Sequence, residues 1–308
     1  MIQMNKNWPA LVAVALLSVS STVFGAEAVM MPFILGSTST GSDVAAKATE
    51  VKKALTDNGF QVVGEYQPYD GADVIVATND TLKKAGASHD RAGYIAAERV
   101  SVTKVGDQLQ VAYSNPPYMA AAYHVKADLS SVVNALKTAL GSIKGFGPDE
   151  GKTAEQLDGY HYTFGMEYFD EPYKLNSFDS HAEAVAAVEK GLGKHAGGTT
   201  EVYRIDIPGG KQTLFGVGLH SEKNKYADDK YIMSEIDFKK IRSTPHLPYE
   251  MLVTGSKVEA LHARFRIAMD FPDLSMMGSH SFMNIMPTPD AIKSALTEAA
   301  GGEVKSDF

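Results

Sequence analysis

Apolar and polar positions along the chain fall into helical and extended spacings, and the same succession of spacings occurs twice. After the run GSTSTGS (36–42) and a Ser/Asp cap, apolar residues recur at Val44, Ala48, Val51 and Leu55. That is the spacing of one helix face, and Asn58-Gly59 stops it. Phe60–Tyr66 and Asp73–Thr78 predict short strands around a turn at Pro68-Tyr69-Asp70-Gly71. Arg99–Thr103 and Gln108–Tyr113 predict a hairpin through Val105-Gly106-Asp107. The chain turns after Asn115-Pro116-Pro117, and Asp128 caps a last helix in LSSVVNALKTALG.

From Asn176 the order returns. NSFDSHAEAVAAVEKGLGKHAGG predicts a helix ending in Gly, and TEVYRIDI and QTLFGVGL predict two strands around a Pro-Gly-Gly turn. Tyr249–Gly255 and Val258–Met269 read as another strand pair, and after Pro272 come a turn and a helix opening at Pro289. This is a duplication. It predicts an α+β fold of two tandem homologous domains, with helices packed on small, mostly antiparallel sheets. Residues 29–144 form the first repeat, the Gly/Pro-rich polar stretch 145–158 a linker, and 159–308 the second repeat. An insertion at about 220–244, rich in Lys, Asp and Glu, reads as a surface loop or short helix.

Three short motifs carry a family resemblance: Asn58-Gly59-Phe60 at the helix end, His246-Leu247-Pro248-Tyr249 at the hairpin entry, and Asn115-Pro116 after it. On these, each repeat resembles domain-of-unknown-function family 302 over most of its length. The resemblance implies an α+β fold with helices on a mostly antiparallel sheet, and it brings no chemistry. Where many members of that family have Cys after Leu-Pro, this chain has Tyr249, and the first repeat lacks Leu-Pro.

Composition narrows the function. The 308 residues carry 29 basic and 37 acidic side chains, a net charge of −8, with no Lys/Arg block. Nucleic acid is therefore excluded as a partner, because phosphate neutralisation supplies most of such affinity. The segment from Ala10 to Ala26 is apolar and small, follows Lys6, and ends in the small-x-small pattern Ala26-Glu27-Ala28. It reads as a signal peptide over residues 1–28, which implies a periplasmic protein without a transmembrane anchor. The absence of Cys removes disulfides, thiolate metal sites and thiol catalysis. Any metal must be held by His, Met, carboxylate or backbone.

The candidate chemistry rests on histidine and methionine. Pro116 and Pro272 lie 156 positions apart, as do His124 and His280, and His89 and His246 lie 157 apart. Two histidines per repeat in corresponding pockets would be a cofactor-binding set; inherited packing is the other explanation. The stretch MMGSHSFMNIM (276–286) adds Met276, Met277 and Met283 to His280. Thioether and imidazole together suit copper, and imidazole beside apolar walls suits haem. Against this stands the ordinary use of Met as a flexible gap-filler in cores. The run YHYTFGMEY (160–168) places Tyr162, Phe164, Met166 and Tyr168 on one face of an expected strand. GSTSTGS lacks the Gly-Lys-Ser/Thr ending of a nucleotide loop, so capping explains it. Hydrolase motifs are missing.

The leading expectation is an exported, non-catalytic binding protein for a metal or haem-like ligand, using His246, His280 and the neighbouring Met residues. The alternatives are an enzyme on a small substrate, with His246 as base and Tyr249 as acid, and a structural or partner-binding module.

Overall fold

The computed structural model describes residues 28–304; the expected signal peptide lies outside them but for Ala28. The first lobe runs β1 (Phe33–Thr40), α1 (Val44–Asp57), β2 (Gln61–Tyr66), β3 (Ala72–Thr78), α2 (Asp80–Gly86), β4 (Glu98–Val105), β5 (Gln108–Ser114), α3 (Pro116–Ala122), α4 (Ser130–Leu140) and β6 (Lys144–Phe146). After a short α5 (Ala154–Asp158), the second runs β7 (Tyr173–Ser177), α6 (His181–Leu192), β8 (Thr199–Asp206), β9 (Gln212–Leu219), α7 (Asp229–Ile236), β10 (Tyr249–Thr254), β11 (Lys257–Ala260), α8 (Ala263–Asp270) and α9 (Thr288–Ala299). The fold is α+β with two antiparallel sheets, ordered β2-β3-β4-β5-β1-β6 and β7-β11-β10-β9-β8. With β7 matched to β1 and β8–β11 to β2–β5, the second order is that of the first without the edge strand β6. The duplication is thus written in the strand pairing itself.

Local chemistry explains the elements. Asp43 accepts a hydrogen bond from the Ala46 N–H (2.9 Å) and starts α1, whose Ala48, Val51 and Leu55 are buried. Ser180 does the same for α6 through the Glu183 N–H (3.2 Å). Four expectations change. GSTSTGS is mostly the end of β1, and only Asp43 caps the helix. The expected strand 258–269 ends at Ala260 and becomes α8, which is buried nearly all round: Arg266 reaches the carbonyls of His246 and Pro248, and Asp270 reaches the His246 ring. Residues 160–168 form turns rather than a strand, and Phe164 stands in solvent. The stretch 145–158 carries the end of β6 and α5. The insertion takes the short-helix form of its expectation, α7, and buries Ile232, Met233 and Ile236.

The lobes meet reciprocally, as the halves of a two-fold dimer do. The 3-10 turn Ala92–Ala96 of the first seats on β9 and β10, and Thr244–His246 of the second seats on β3, β4 and β5. Gln212 accepts from the Gly93 N–H (3.3 Å) and donates to the His89 carbonyl (3.1 Å). Gln110 donates to the Lys240 carbonyl (2.8 Å) and accepts from the Arg242 N–H (3.0 Å). One apolar cluster runs through the seam, joining Val74, Val100 and Tyr118 to Tyr203, Leu252, Phe265 and Met269. The edge strands β2 and β8 touch where each carries a bulge, and a Cβ on Gly64 would lie 2.3 Å from the Val202 carbonyl oxygen.

Two outcomes follow from this shared core. Residues 29–158 and 159–308 expressed separately should each lack a cooperative thermal transition and regain one on mixing. Gly64→Ala should lower stability by about 1–3 kcal/mol or more, because the contact it invades is backbone; chemical denaturation of the full chain measures this.

Candidate functional site

The register of the sheets fixes the centre of the seam. In the first sheet Gly64 pairs with Val76 and Val76 with Arg99; in the second, Tyr203 pairs with Gly216 and Gly216 with Glu250. Counted from the matched bulges, Arg99 and Glu250 hold equivalent positions, and they face each other across the seam. Arg99 Nη1 donates to Glu250 Oε2 (3.1 Å), with both side chains 1% exposed. Arg99 Nε donates to the Pro245 carbonyl (2.9 Å). Tyr203 lies over Gly216, where a Cβ would come within 2.0 Å of its ring, and donates to Glu250 Oε1 (2.6 Å). Burial opposes the charge on Arg99, but Glu250 and the surrounding tyrosines and acids outweigh it and raise its pKa.

Around this pair lie Arg266, His246, Asp270 and Tyr249. Arg266 donates to the carbonyls of His246 and Pro248 (2.6 Å for the latter), either side of the cis Leu247–Pro248 bond, and its guanidinium covers the Tyr249 ring at 4.6 Å. His246 Nδ1 is 2.6 Å from Asp270 Oδ2, and both groups are fully buried. Burial pushes the His246 pKa down against the pull of Asp270, and toward a carboxylate oxygen Nδ1–H is the donor. His246 Nε2, Tyr249 Oη, Asp270 Oδ1 and Arg266 Nε and Nη1 are buried without partners. An oriented base and a hydroxyl are therefore present, but neither reaches solvent. The Phe271 ring packs 5.3 Å from that of His246 and also lines two small cavities of ≈ 20 and ≈ 30 Å³, neither of which His246 lines.

The topology re-pairs the histidines. α3 begins directly after β5 and α8 directly after β11, so Pro116 corresponds to Ala263, Met119 to Arg266 and His124 to Phe271. The 156-residue offset that matched His124 to His280 joins different elements. His246 sits in the turn just before β10, whereas His89 precedes the turn before β4, so these two do not correspond either. His280 and His124 do share a left-handed backbone, at φ 55° and 57°. The four histidines do not gather. His246 is in the seam, His280 is on an exposed loop against Phe238, and only His89 and His124 meet, through the His124 carbonyl 3.2 Å from His89 Nε2.

His124 lies on the wall of an open groove of ≈ 820 Å³ on the first lobe. Pro117, Ala120, Ala121, Val125, Leu129 and Val133 make its wall mostly apolar, and Lys126, Asn134, Asp128, Glu155 and Asp158 supply its polar lining. The His124 imidazole is half-buried, packs on Phe169 at 4.9 Å between ring centres, and makes no hydrogen bond among the described residues. Met276, Met277 and Met283 lie at the surface in a loop between α8 and α9. Among the described residues no three His, Asp or Glu side chains gather in a way that could hold a metal ion, and no helix is long and apolar enough to cross a membrane. Comparison with family models, curated proteins and solved structures finds no match.

Sequence reasoning missed Arg99, Glu250, Arg266 and Asp270. A signal existed for Glu250, whose charge interrupts the otherwise apolar run YEMLV; Arg99 lies among Glu98, Ser101 and Thr103 in ERVSVT and does not stand out in the same way. Arg266 and Asp270 become a one-face pair only once 263–270 is a helix.

Removing one partner of the central pair leaves a buried charge. Glu250→Gln and Arg99→Met should each cost about 3–5 kcal/mol, with the double variant losing less than the two together, as read from denaturation midpoints. Stability should also fall with rising pH. Burial raises Glu98 to about 8 and Asp229 and Asp237 to about 7, against ordinary values of 4.5 and 3.8. At these three carboxyls the folded chain holds more protons than the unfolded one from about pH 4 to 8, and the stability they contribute at the acid end is lost as pH rises through the folded values. His246 and His262, whose pKa burial lowers, act in the opposite direction below about pH 6.5. Glu98→Gln should flatten the slope of melting temperature against pH across that window.

Proposed function

We propose that this is an exported, non-catalytic binding protein whose ligand occupies the groove beside His124. The observation that carries the reading is an imidazole with no hydrogen bond on the wall of an apolar groove. The groove's volume lies in the range of about 300–1,000 Å³ usual for small-molecule sites. A flat apolar ligand with a metal centre, such as haem, makes use of each feature. The alanine-rich wall of α3 would take the ring, His124 would supply a nitrogen ligand, and Lys126 and Asn134 would meet peripheral carboxylates on a lining that also carries Asp128, Glu155 and Asp158. His89 acts through His124: its ring lies against the His124 carbonyl and steadies the left-handed turn that presents the imidazole. This reading keeps the ligand class drawn from the sequence and moves the site to the first lobe. The resemblance to domain-of-unknown-function family 302 is compatible with it and adds no chemistry.

A second reading has one observation in its favour. His246 Nε2 and Tyr249 Oη are unpartnered, and Asp270 orients the imidazole as it would a general base. Their burial, at 0% and 1% exposure, argues for a structural role instead, because a substrate would have to displace core side chains to reach them.

Titration of the mature chain with haemin should give a shifted Soret band at one equivalent, lost in His124→Ala and weakened in His89→Ala. Unchanged spectra in His124→Ala would remove the groove as the haem site. A Soret band that depends on His246 instead would favour an opening seam.

A further inference from the structure

The loop Pro272–Pro287 between α8 and α9 carries four methionines that the core does not use. Met276, Met277, Met283 and Met286 are 44%, 75%, 49% and 55% exposed, whereas Met119, Met233, Met251 and Met269 are at most 3% exposed. Core packing therefore accounts for the second group and not for the first. The loop is built from its own hydrogen bonds. The Phe282 N–H donates to the Ser275 carbonyl (2.8 Å) and the Met283 N–H to the Met276 carbonyl (3.2 Å), while Ser281 Oγ donates to the Gly278 carbonyl (2.9 Å). Met276 and Met283 are thus joined through their backbones across a closed loop. Asn284 ties that loop to α7 through Glu235 (2.8 Å) and the Tyr231 hydroxyl (3.1 Å).

His280 stands within the same loop with left-handed backbone, a conformation that costs a non-glycine residue energy and collects at functional sites. Its ring stacks on Phe238, with centres 4.7 Å apart and planes 27° from parallel, and it makes no hydrogen bond among the described residues. Both ring nitrogens are open. A partner-protein surface would account for exposed methionines, but not for an unbonded imidazole held in left-handed backbone in the same loop. Thioether sulfur stays a ligand at any pH, needs no deprotonation, and prefers a soft monovalent ion. The Met side chain has three torsions with which to converge on one.

We propose that this loop binds one soft monovalent metal ion, Cu(I) in its natural setting, through Met276, Met283 and His280, with Met277 the available fourth donor. The site is separate from the groove beside His124 and does not depend on it.

The test is a competition titration of the full mature chain against a chromogenic Cu(I) chelator under reducing, oxygen-free conditions, repeated with Ag(I). Wild type should withdraw one equivalent of either ion. Met276→Leu/Met283→Leu should weaken binding by at least about 100-fold, above the 10–100-fold that loss of a supporting contact costs. His280→Ala should weaken it less, with an unchanged melting temperature showing that the loop variants stay folded. His124→Ala should bind Cu(I) as wild type does, which separates this result from the haem titration. Failure of wild type to compete would overturn the proposal, and so would equal affinity in the Leu variant. If wild type instead self-associates through this loop without taking metal, the methionines are a docking surface and the metal assignment falls.

Discussion

The pairing of Arg99 with Glu250 is the contact on which the rest of the architecture depends. These residues hold equivalent positions in the two sheets, and the reciprocal packing of the lobes sets them against each other. In a dimer of identical chains, equivalent residues at such a seam would meet like with like, and two buried Arg or two buried Glu would repel in a medium that screens poorly. A tandem repeat escapes this constraint, because its two copies can diverge. Here one copy has Arg and the other Glu, and the neighbours diverge with them: Met119 Sδ is 3.7 Å from Arg99 Nη2, and the equivalent Arg266 Nη2 is 4.0 Å from Glu250. Covalent fusion of the repeats is thus what allows opposite charges at their common seam.

The same seam explains why the most reactive-looking group is the least accessible. Arg266 fastens the turn around Pro248, Asp270 fastens His246, and Phe271 covers it. This network is internal to the second lobe and holds the turn that Arg99 reaches across the seam through the Pro245 carbonyl; several of its buried atoms have no partner, the usual place for internal water. The surface chemistry lies elsewhere, at the helical wall of the first lobe and in the long loop of the second. The two lobes share a topology but not a surface. The segment after α3 runs promptly into α4 and leaves a groove, whereas the segment after α8 is long enough to build a methionine loop.

Much of the fold was legible in the chain. The period-three-to-four face of α1, the Gly106 hairpin and the second appearance of the same order of elements follow from local spacing, because helix and strand periodicities differ and turn residues are few. The segment proposed as a Cu(I) site was legible as well, since four Met and a His in eleven residues stand out in any chain without Cys. What spacing cannot express is which residues become neighbours across the seam. The offset of 156 was sound arithmetic on the wrong elements, since it matched the residue after β5 with one after α8. Likewise, the aromatic alternation at 160–168 satisfied the strand pattern without a neighbouring strand to pair with.

Sequence alone determined the duplication, the α+β class, and the exclusion of thiol chemistry, because each is a matter of order or composition along one chain. Tertiary structure decided that Arg99 meets Glu250, that His246 is sealed while His124 faces a groove, and that the loop methionines stand in solvent while the others fill the core. Those outcomes depend on which faces two folded repeats turn toward each other, and burial is a property of the assembled surfaces rather than of any residue's neighbours in sequence.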